Sequence, residues 1–426
     1  MPVSCWCCPG QLEDFIFGQI VFLGGTYDHR QKPMMRVPGR ILPAIVISQF
    51  AGTSLWFAGN AVLPDLQRRG GLPIEALGDM TTAVQLGFIA GTLTFAFLAI
   101  ADRYSPRRVY LICALLGAAL NAMTVLAGAD LWPLLLFRFA TGFFLAGIYP
   151  VGMKIASGWF HRDLGKALGF LVGALMLGTA LPHLIRAIGH DLPWEGVMLA
   201  VSALAALGGV LMYVLVPDGP HLKVGTQFNW GAFAAIFRSA DFRASSFGYF
   251  GHMWELYAFW AFVPVYLAAH SASSHMNGFN VSLLSFAVIG AGSIGCIAGG
   301  FASLRYGSDK VAFAQLSASG VCCLLSPIAF WLPEPAFLAF LIFWGIVVAG
   351  DSPQFSALNA HYAPPLLVGS SLTIVNCIGF SITILPIQLI NSVISQTGAQ
   401  SVFLLLLPGP IVGLMALSKL VRNRAK

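Results

Sequence analysis

The sequence predicts an all-α membrane protein with about twelve transmembrane helices in two pseudo-symmetric six-helix bundles. Its composition, its apolar segments and an internal repeat support this prediction. Hydrophobic residues make up 57% of the chain and charged residues 9%, whereas soluble domains contain about 25% charged residues. A bilayer accommodates so apolar a chain because the positions that face lipid are apolar too. The net charge of +6 comes mainly from basic residues between apolar segments, so it indicates no nucleic-acid partner.

Twelve apolar segments each approach the roughly 20 residues that a helix needs to cross the hydrocarbon core. They are continuous runs, whereas the strands of a membrane barrel alternate over about ten residues, so they predict helices. The predicted cores are 41–62, 78–100, 109–128, 132–153, 166–187, 195–216, 244–267, 280–302, 311–331, 337–358, 367–390 and 401–418.

Two pairs of matching segments indicate that the halves of the chain are repeats of one multi-helix unit. ADRYSPRR at 101–108 matches SLRYGSDK at 303–310, and AGIYP at 146–150 matches AGDSP at 349–353. Membrane transporters are commonly built from such repeats, with a substrate site between them. We predict an N-terminal cytosolic extension, a first bundle, a central cytosolic loop, and a second bundle with a short basic tail. Their limits are 1–39, 40–216, 217–240 and 241–426.

The distribution of Lys and Arg predicts the orientation in the membrane. With both termini in the cytosol, the external side keeps only Arg68, Arg69 and Arg186. The cytosolic side then collects Arg103, Arg107, Arg108, Arg162, Lys166, Lys223, Arg238, Arg243, Arg305 and Lys310. The apolar run 15–25 is too short to span. One interpretation is that translation begins at Met34 or Met35, and the sequence leaves open whether residues 1–33 are translated.

The segment from Leu98 to Arg108 resembles the signature loop of the major facilitator superfamily. Two positions depart from the pattern, since Leu98 and Ser105 stand where the family has Gly. The second copy has Leu304 where the family has Asp. The resemblance covers about residues 40–420 and implies alternating access between the bundles. It also implies a gating loop that contains Asp102, Arg103, Arg107, Arg108, Arg305 and Lys310.

In that family the first, fourth, seventh and tenth spans line a central cavity, and here all four carry polar residues. We expect one helical stripe along the first span, from Gln49 through Thr53 to Asn60. A lone buried amide can also join helices without contacting substrate, and His252 could serve only in packing. The predicted cavity residues are Gln49, Trp56, Asn60, Arg138, Tyr149, His252, Tyr257 and Gln354.

Two acidic residues in the second half are predicted to couple transport to protons. Glu255 lies three residues after His252, and Asp351 lies three before Gln354, so each pair shares a helical face. An unpaired carboxylate in the bilayer costs several kcal/mol, so both must be protonated, paired or hydrated.

These residues predict a secondary active transporter for a small organic, anionic solute, coupled to protons. Arg138 favours an anion, and aromatic residues near the path favour an organic substrate. The alternatives are a drug or metabolite exporter that exchanges against protons, and a sensor that does not transport. No nucleophile elbow, phosphate-binding loop or metal-ligand cluster stands in the sequence, so we predict no enzyme activity, no cofactor and no metal. The expected partners are the solute, protons and the bilayer, with a monomer in the cytoplasmic (inner) membrane.

Overall fold

The computed structural model describes residues 37–73, 75–160, 164–189, 192–222, 228–273, 279–364 and 367–423. The predicted extension therefore lies outside the described residues, apart from its last three. Within these ranges the chain forms helices and no β-strand, which confirms the all-α prediction. Eleven of the described helical stretches are long and apolar enough to cross a membrane.

The first six spans follow the predicted segments closely. The first and the fourth each consist of two helices. In chain order the helices are Ile41–Thr53 with Ala58–Gly70, Ala76–Phe97, Pro106–Ala127, Leu131–Leu145 with Tyr149–Trp159, Leu164–Ile188, and Trp194–Leu215. A short helix, Ile100–Arg103, precedes the third span.

The second half begins after a connection that contains the helix Gly231–Arg238. Its seventh span, Ala240–Ser273, is 34 residues long and is less apolar than the other eleven because it carries several polar side chains. The remaining helices are Val281–Tyr306, Ser308–Ala329, Glu334–Gly350 with Ser352–Tyr362, Val368–Thr397, and Pro408–Asn423 preceded by the 3-10 helix Ala399–Leu406.

Three spans are interrupted near their middle. The first breaks over residues 54–57, the fourth over 146–148, and the tenth at Asp351. The breaks in the fourth and tenth spans fall in the second pair of repeated segments, so the repeat marks a structural feature. The expected continuous stripe along the first span is wrong beyond Thr53, because the helix ends there and restarts at Ala58.

Close crossings of the same kind recur in both halves. A Cβ atom built on Gly142 would lie 2.2 Å from the carbonyl oxygen of Val84, where the second and fourth spans cross. In the second half, a Cβ on Gly345 would lie 2.1 Å from the carbonyl oxygen of Val288, where the eighth and tenth spans cross. Only a residue without a side chain permits such contacts.

The bundles meet along two pairs of helices, the second span with the eleventh and the fifth with the eighth. We call the end of the molecule that carries residue 37, residue 423 and residues 216–222 the terminal face. The other end, where the second span begins at Ala76 and the eleventh ends at Thr397, is the opposite face.

Candidate functional site

Three ionisable side chains lie together where the seventh span passes the break in the tenth. His252, Glu255 and Asp351 are all fully buried. Nδ1 of His252 lies 2.8 Å from Oδ1 of Asp351. One donor atom from each side chain lies within 4.8 Å of the other two. We call these residues the ionisable cluster; the structure brings together residues that the sequence placed on separate spans.

Two side chains of the ninth span contact the carboxylate of Glu255. The hydroxyl of Ser319 donates to Oε2 of Glu255 over 3.0 Å, and the thiol of Cys323 lies 3.5 Å from the same oxygen. Trp344 Nε1 in turn donates to Ser319 Oγ over 3.1 Å. Oε1 of Glu255 and Nε2 of His252 have no hydrogen-bond partner within the described ranges. Because a buried polar atom without a partner is costly, these two atoms are candidate positions for a further proton or cation.

The ionisable cluster could also hold a small cation, since it offers one imidazole and two carboxylates. The distance of 2.8 Å between Nδ1 of His252 and Oδ1 of Asp351 is within the range of a hydrogen bond. The absence of a metal, expected from the sequence, stays a prediction.

Arg138 is fully buried in the first bundle and binds the interrupted part of the first span. Its guanidinium donates to the carbonyl oxygen of Leu55 over 3.0 Å, to that of Trp56, and to Oδ1 of Asn121 over 2.9 Å. Carbonyls at a helix break lack intrahelical partners, and Arg138 satisfies two of them. These described partners are all neutral, so none of them compensates the positive charge.

Six buried aromatic rings form the contact between the bundles at mid-span. Phe88 and Phe380 have ring centroids 4.5 Å apart, and the rings of Trp56 and Tyr257 lie 5.7 Å apart. Such separations are typical of favourable ring pairs. The indole nitrogens of Trp56 and Trp260 have no hydrogen-bond partner in the part of the chain described. This aromatic cluster consists of Trp56, Phe57, Phe88, Tyr257, Trp260 and Phe380.

At the opposite face, two amide side chains of the eleventh span bind the start of the second span. Asn391 donates to the carbonyl oxygen of Glu75 over 2.8 Å and accepts from the backbone N–H of Gly78 over 3.2 Å. Gln388 donates to Oγ1 of Thr82 over 2.8 Å. A Cβ on Gly78 would lie 2.4 Å from the Asn391 side chain, so the close approach requires glycine. This amide latch, Gln388 and Asn391, holds the bundles together at that face.

The predicted gating loop lies at the terminal face. Asp102 pairs with Lys154 on the fourth span, and Arg107 lies 3.7 Å from Asp218 at the end of the sixth. Both described contacts join helices of the first bundle. A contact of Asp102 between the bundles stays a prediction. The exposed members of the loop are Arg103, Arg108, Arg305 and Lys310.

The other predicted cavity residues lie in different surroundings. Asn60 donates to Thr81 over 2.8 Å and so joins the first and second spans. Gln49 and Gln354 are buried, and Tyr149 is half-buried at the start of the second helix of its span. Their role in binding substrate stays a prediction.

Several residues of the site were missed from the sequence. Asn391 and Gln388 are polar residues inside an apolar segment, which is the signal that pointed to Glu255 and Asp351, and it could have been applied to them. No comparable signal marked Ser319, since small hydroxyl residues are common in membrane helices.

The family model of the Major Facilitator Superfamily matches residues 45–387 of the chain. The uncharacterized transporter YgaY of Escherichia coli O157:H7 is 26% identical over 323 residues, covering 72% of this chain and 76% of the relative. A probable sulfoacetate transporter of Cupriavidus necator is 24% identical, covering 60% of this chain and 66% of the relative. A gallate transporter of Pseudomonas putida is 27% identical and covers 38% of each chain.

The fold is also that of a solved transporter structure. The crystal structure of the nucleoside transporter NupG superposes with a TM-score of 0.68 at 15% sequence identity. The match covers 89% of this chain and 99% of that one. The matched family model, the named relatives and the fold agree, and the chain is a membrane transporter that belongs to the major facilitator superfamily.

Proposed function

We propose that the protein moves a small organic anion across the cytoplasmic membrane by alternating access, coupled to protons. The observation that carries this proposal is the ionisable cluster. Two carboxylates and an imidazole are fully buried there at a helix break, with donor atoms left unpaired. Burying such groups is costly, so they favour a function that uses their change in protonation.

The charge of the substrate is argued from Arg138. Its described partners are two carbonyl groups and one amide, and a buried charge without a counter-charge is unfavourable. A carboxylate or sulfonate on the substrate would supply that counter-charge. Two relatives named for organic anions, sulfoacetate and gallate, support the same substrate class.

The organic character of the substrate is argued from the aromatic cluster. Both bundles contribute rings to it, and transporter substrate sites lie between the repeats. The unpartnered indole N–H groups of Trp56 and Trp260 could donate to an acidic group of a ligand. We place the substrate between this cluster and Arg138.

The test uses purified full-length protein. A thermal-shift screen against small carboxylates and sulfonates should identify compounds that raise the apparent stability, because ligands of the folded state stabilise it. Uptake of the best compound into proteoliposomes is then measured with and without an imposed pH gradient. Accumulation that requires the gradient supports the proposal. Uptake that ignores the gradient would contradict proton coupling.

Reporter fusions in cells test the proposed orientation and localisation. We propose that the terminal face is cytosolic in a bacterial inner membrane, since it carries most of the basic residues. A reporter enzyme that works only in the cytosol should be active when it is fused to the C-terminus. A reporter active only outside the cytosol should be silent there, and the reverse pattern would contradict the orientation.

A further inference from the structure

Glu255 is reached by a chain of hydrogen bonds with a defined direction. The indole nitrogen of Trp344 donates to Ser319 Oγ over 3.1 Å, and Ser319 contacts Oε2 of Glu255 over 3.0 Å. An indole N–H can only donate, whereas a hydroxyl has one hydrogen and can also accept. The hydroxyl of Ser319 therefore accepts from Trp344 and directs its own hydrogen to Glu255.

This direction makes the two oxygens of Glu255 different. Oε2 already receives the hydrogen of the Ser319 hydroxyl and lies 3.5 Å from the Cys323 thiol. Oε1 has no hydrogen-bond partner in the described parts of the chain. A proton added to Glu255 has its place on Oε1, where it can exchange with the rest of the ionisable cluster.

The surroundings of this carboxylate contain further titratable groups. His252 lies within hydrogen-bonding distance of Asp351, and these two complete the ionisable cluster. The remaining neighbours are thiols and a phenol, which are neutral near pH 7 in their ordinary state. They are Cys322 and Cys323 on the ninth span, beside Glu255, Cys296 on the eighth, beside Asp351, and Tyr249 on the seventh, beside His252.

We infer that Ser319, oriented by Trp344, is a positioning residue that directs the coupling proton to Oε1 of Glu255. The inference rests on the proposed function, because it assigns the place of the proton within that site. Ser319 holds Oε2 as a hydrogen-bond acceptor whether Glu255 is neutral or ionised. Since donors favour the ionised form of a carboxyl group, Ser319 also eases release of the proton.

The experiment is infrared difference spectroscopy of the purified, lipid-reconstituted protein during a pH titration. A protonated buried carboxyl group gives a C=O stretching band, and Glu255→Gln should remove it. Ser319→Ala should move the band to higher wavenumber, because the carbonyl loses a donor. Ser319→Ala should also raise the titration midpoint of Glu255 by about one pH unit, because the ionised carboxylate loses one hydrogen bond.

Two further variants distinguish the positioning role of Ser319 from a general structural effect of the substitution. Trp344→Phe keeps a ring against Phe259, whose centroid is 4.6 Å away, but removes the indole N–H. It should shift the band in the same direction and by less. Ser326→Ala is the matched control, since Ser326 is also fully buried on the ninth span and donates to Cys323 O of its own helix. Its spectrum should equal that of the wild type.

Each outcome bears on the inference. A Ser319→Ala band at the wild-type wavenumber and midpoint would overturn the inference, as would a band that survives unchanged in Glu255→Gln and disappears in Asp351→Asn. If Ser319→Ala does not fold, an unchanged Trp344→Phe spectrum overturns it equally well. These spectra need no substrate, so a failure of proton-driven uptake remains distinguishable from a failure of the positioning role.

Discussion

The same helix crossing occurs in both bundles, and its chemistry differs between them. In the first bundle Gly52 faces Ile148, since a Cβ on Gly52 would lie 2.7 Å from Cγ2 of Ile148. In the second bundle the crossing holds Glu255 and Asp351. Glu255 lies 203 residues after Gly52, and Asp351 lies 203 residues after Ile148. Equivalent positions thus carry an apolar contact in one repeat and two carboxylates in the other.

A third position extends the comparison. Gln49 packs against Gly152 in the first bundle, and 203 residues later His252 packs against Phe355, with ring centroids 5.7 Å apart. The first bundle keeps this crossing neutral and places its buried cation, Arg138, at the break of the first span. This difference indicates that the fold does not require charged residues at the crossing. The ionisable residues of the second bundle are therefore best explained by function.

The largest expected effect comes from making the second crossing resemble the first. Glu255→Gln and Asp351→Asn should each abolish proton-driven accumulation, because a neutral amide cannot carry the proton. Exchange of substrate without a gradient should survive in at least one of them. Uptake and counterflow in proteoliposomes measure the two activities separately.

The control for this prediction is Glu334→Gln, a carboxylate in the first turn of the tenth span. It should transport like the wild type. Accumulation that persists in both cluster variants would remove the functional difference between the two crossings.

The next effect concerns the cation of the first bundle. Arg138→Lys keeps the charge but cannot reach Leu55, Trp56 and Asn121 together. Loss of one such charged hydrogen bond is worth about 1.5–3 kcal/mol, so we expect transport to fall about tenfold or more. Initial uptake rates normalised to inserted protein check this. Wild-type activity in Arg138→Ala would show that the first bundle contributes no essential charge.

A smaller effect is expected where the two bundles bind each other. Asn391→Leu removes two neutral hydrogen bonds of the amide latch, each worth about 1 kcal/mol. Gln388→Leu removes one neutral hydrogen bond and one to the carboxylate of Asp79. The state closed at the opposite face should therefore lose at least about fivefold in population relative to the open one. Distances between spin labels at Arg69→Cys and Gln396→Cys, both exposed at that face, measure the change.

Ser392→Ala is the control for the latch. Ser392 is exposed on the same helix and donates to Leu389 O one turn earlier. Its distance distribution should match that of the unsubstituted labelled protein. Equal distributions in the latch variants would mean that contacts other than the amide latch close this face.

The smallest effect is expected at the gating loop, where the repeats also differ, since Leu304 stands where the first copy has Asp102. Asp102 and Lys154 form a partly exposed pair, and such pairs are worth about 0.2–1 kcal/mol. Asp102→Asn should lower the uptake rate up to a few-fold while membrane insertion stays normal. A double-mutant cycle with Lys154→Met isolates the pair. A larger loss that persists without Lys154 would point to another partner across the bundles.

The broad plan of the protein could be predicted from the sequence. Length and apolarity place the spans, and the second repeated segment falls on the breaks of the fourth and tenth spans. The break in the first span was not predicted, because residues 50–62 are mostly apolar and carry no proline. It is stabilised from another helix, through Arg138, and no local pattern records such a contact.

From the sequence alone, the chain was predicted to be a two-bundle membrane transporter, and Glu255, Asp351 and Arg138 were recognised as costly buried groups. The physical reason is that the bilayer penalises polar residues wherever they stand, so their mere presence is informative. Only the tertiary structure decided their partners. It joined His252 to Asp351, supplied Ser319 and Trp344 to Glu255, and turned Arg138 toward backbone carbonyls. Such pairings depend on helix rotation and crossing, which residues far apart in the chain fix together.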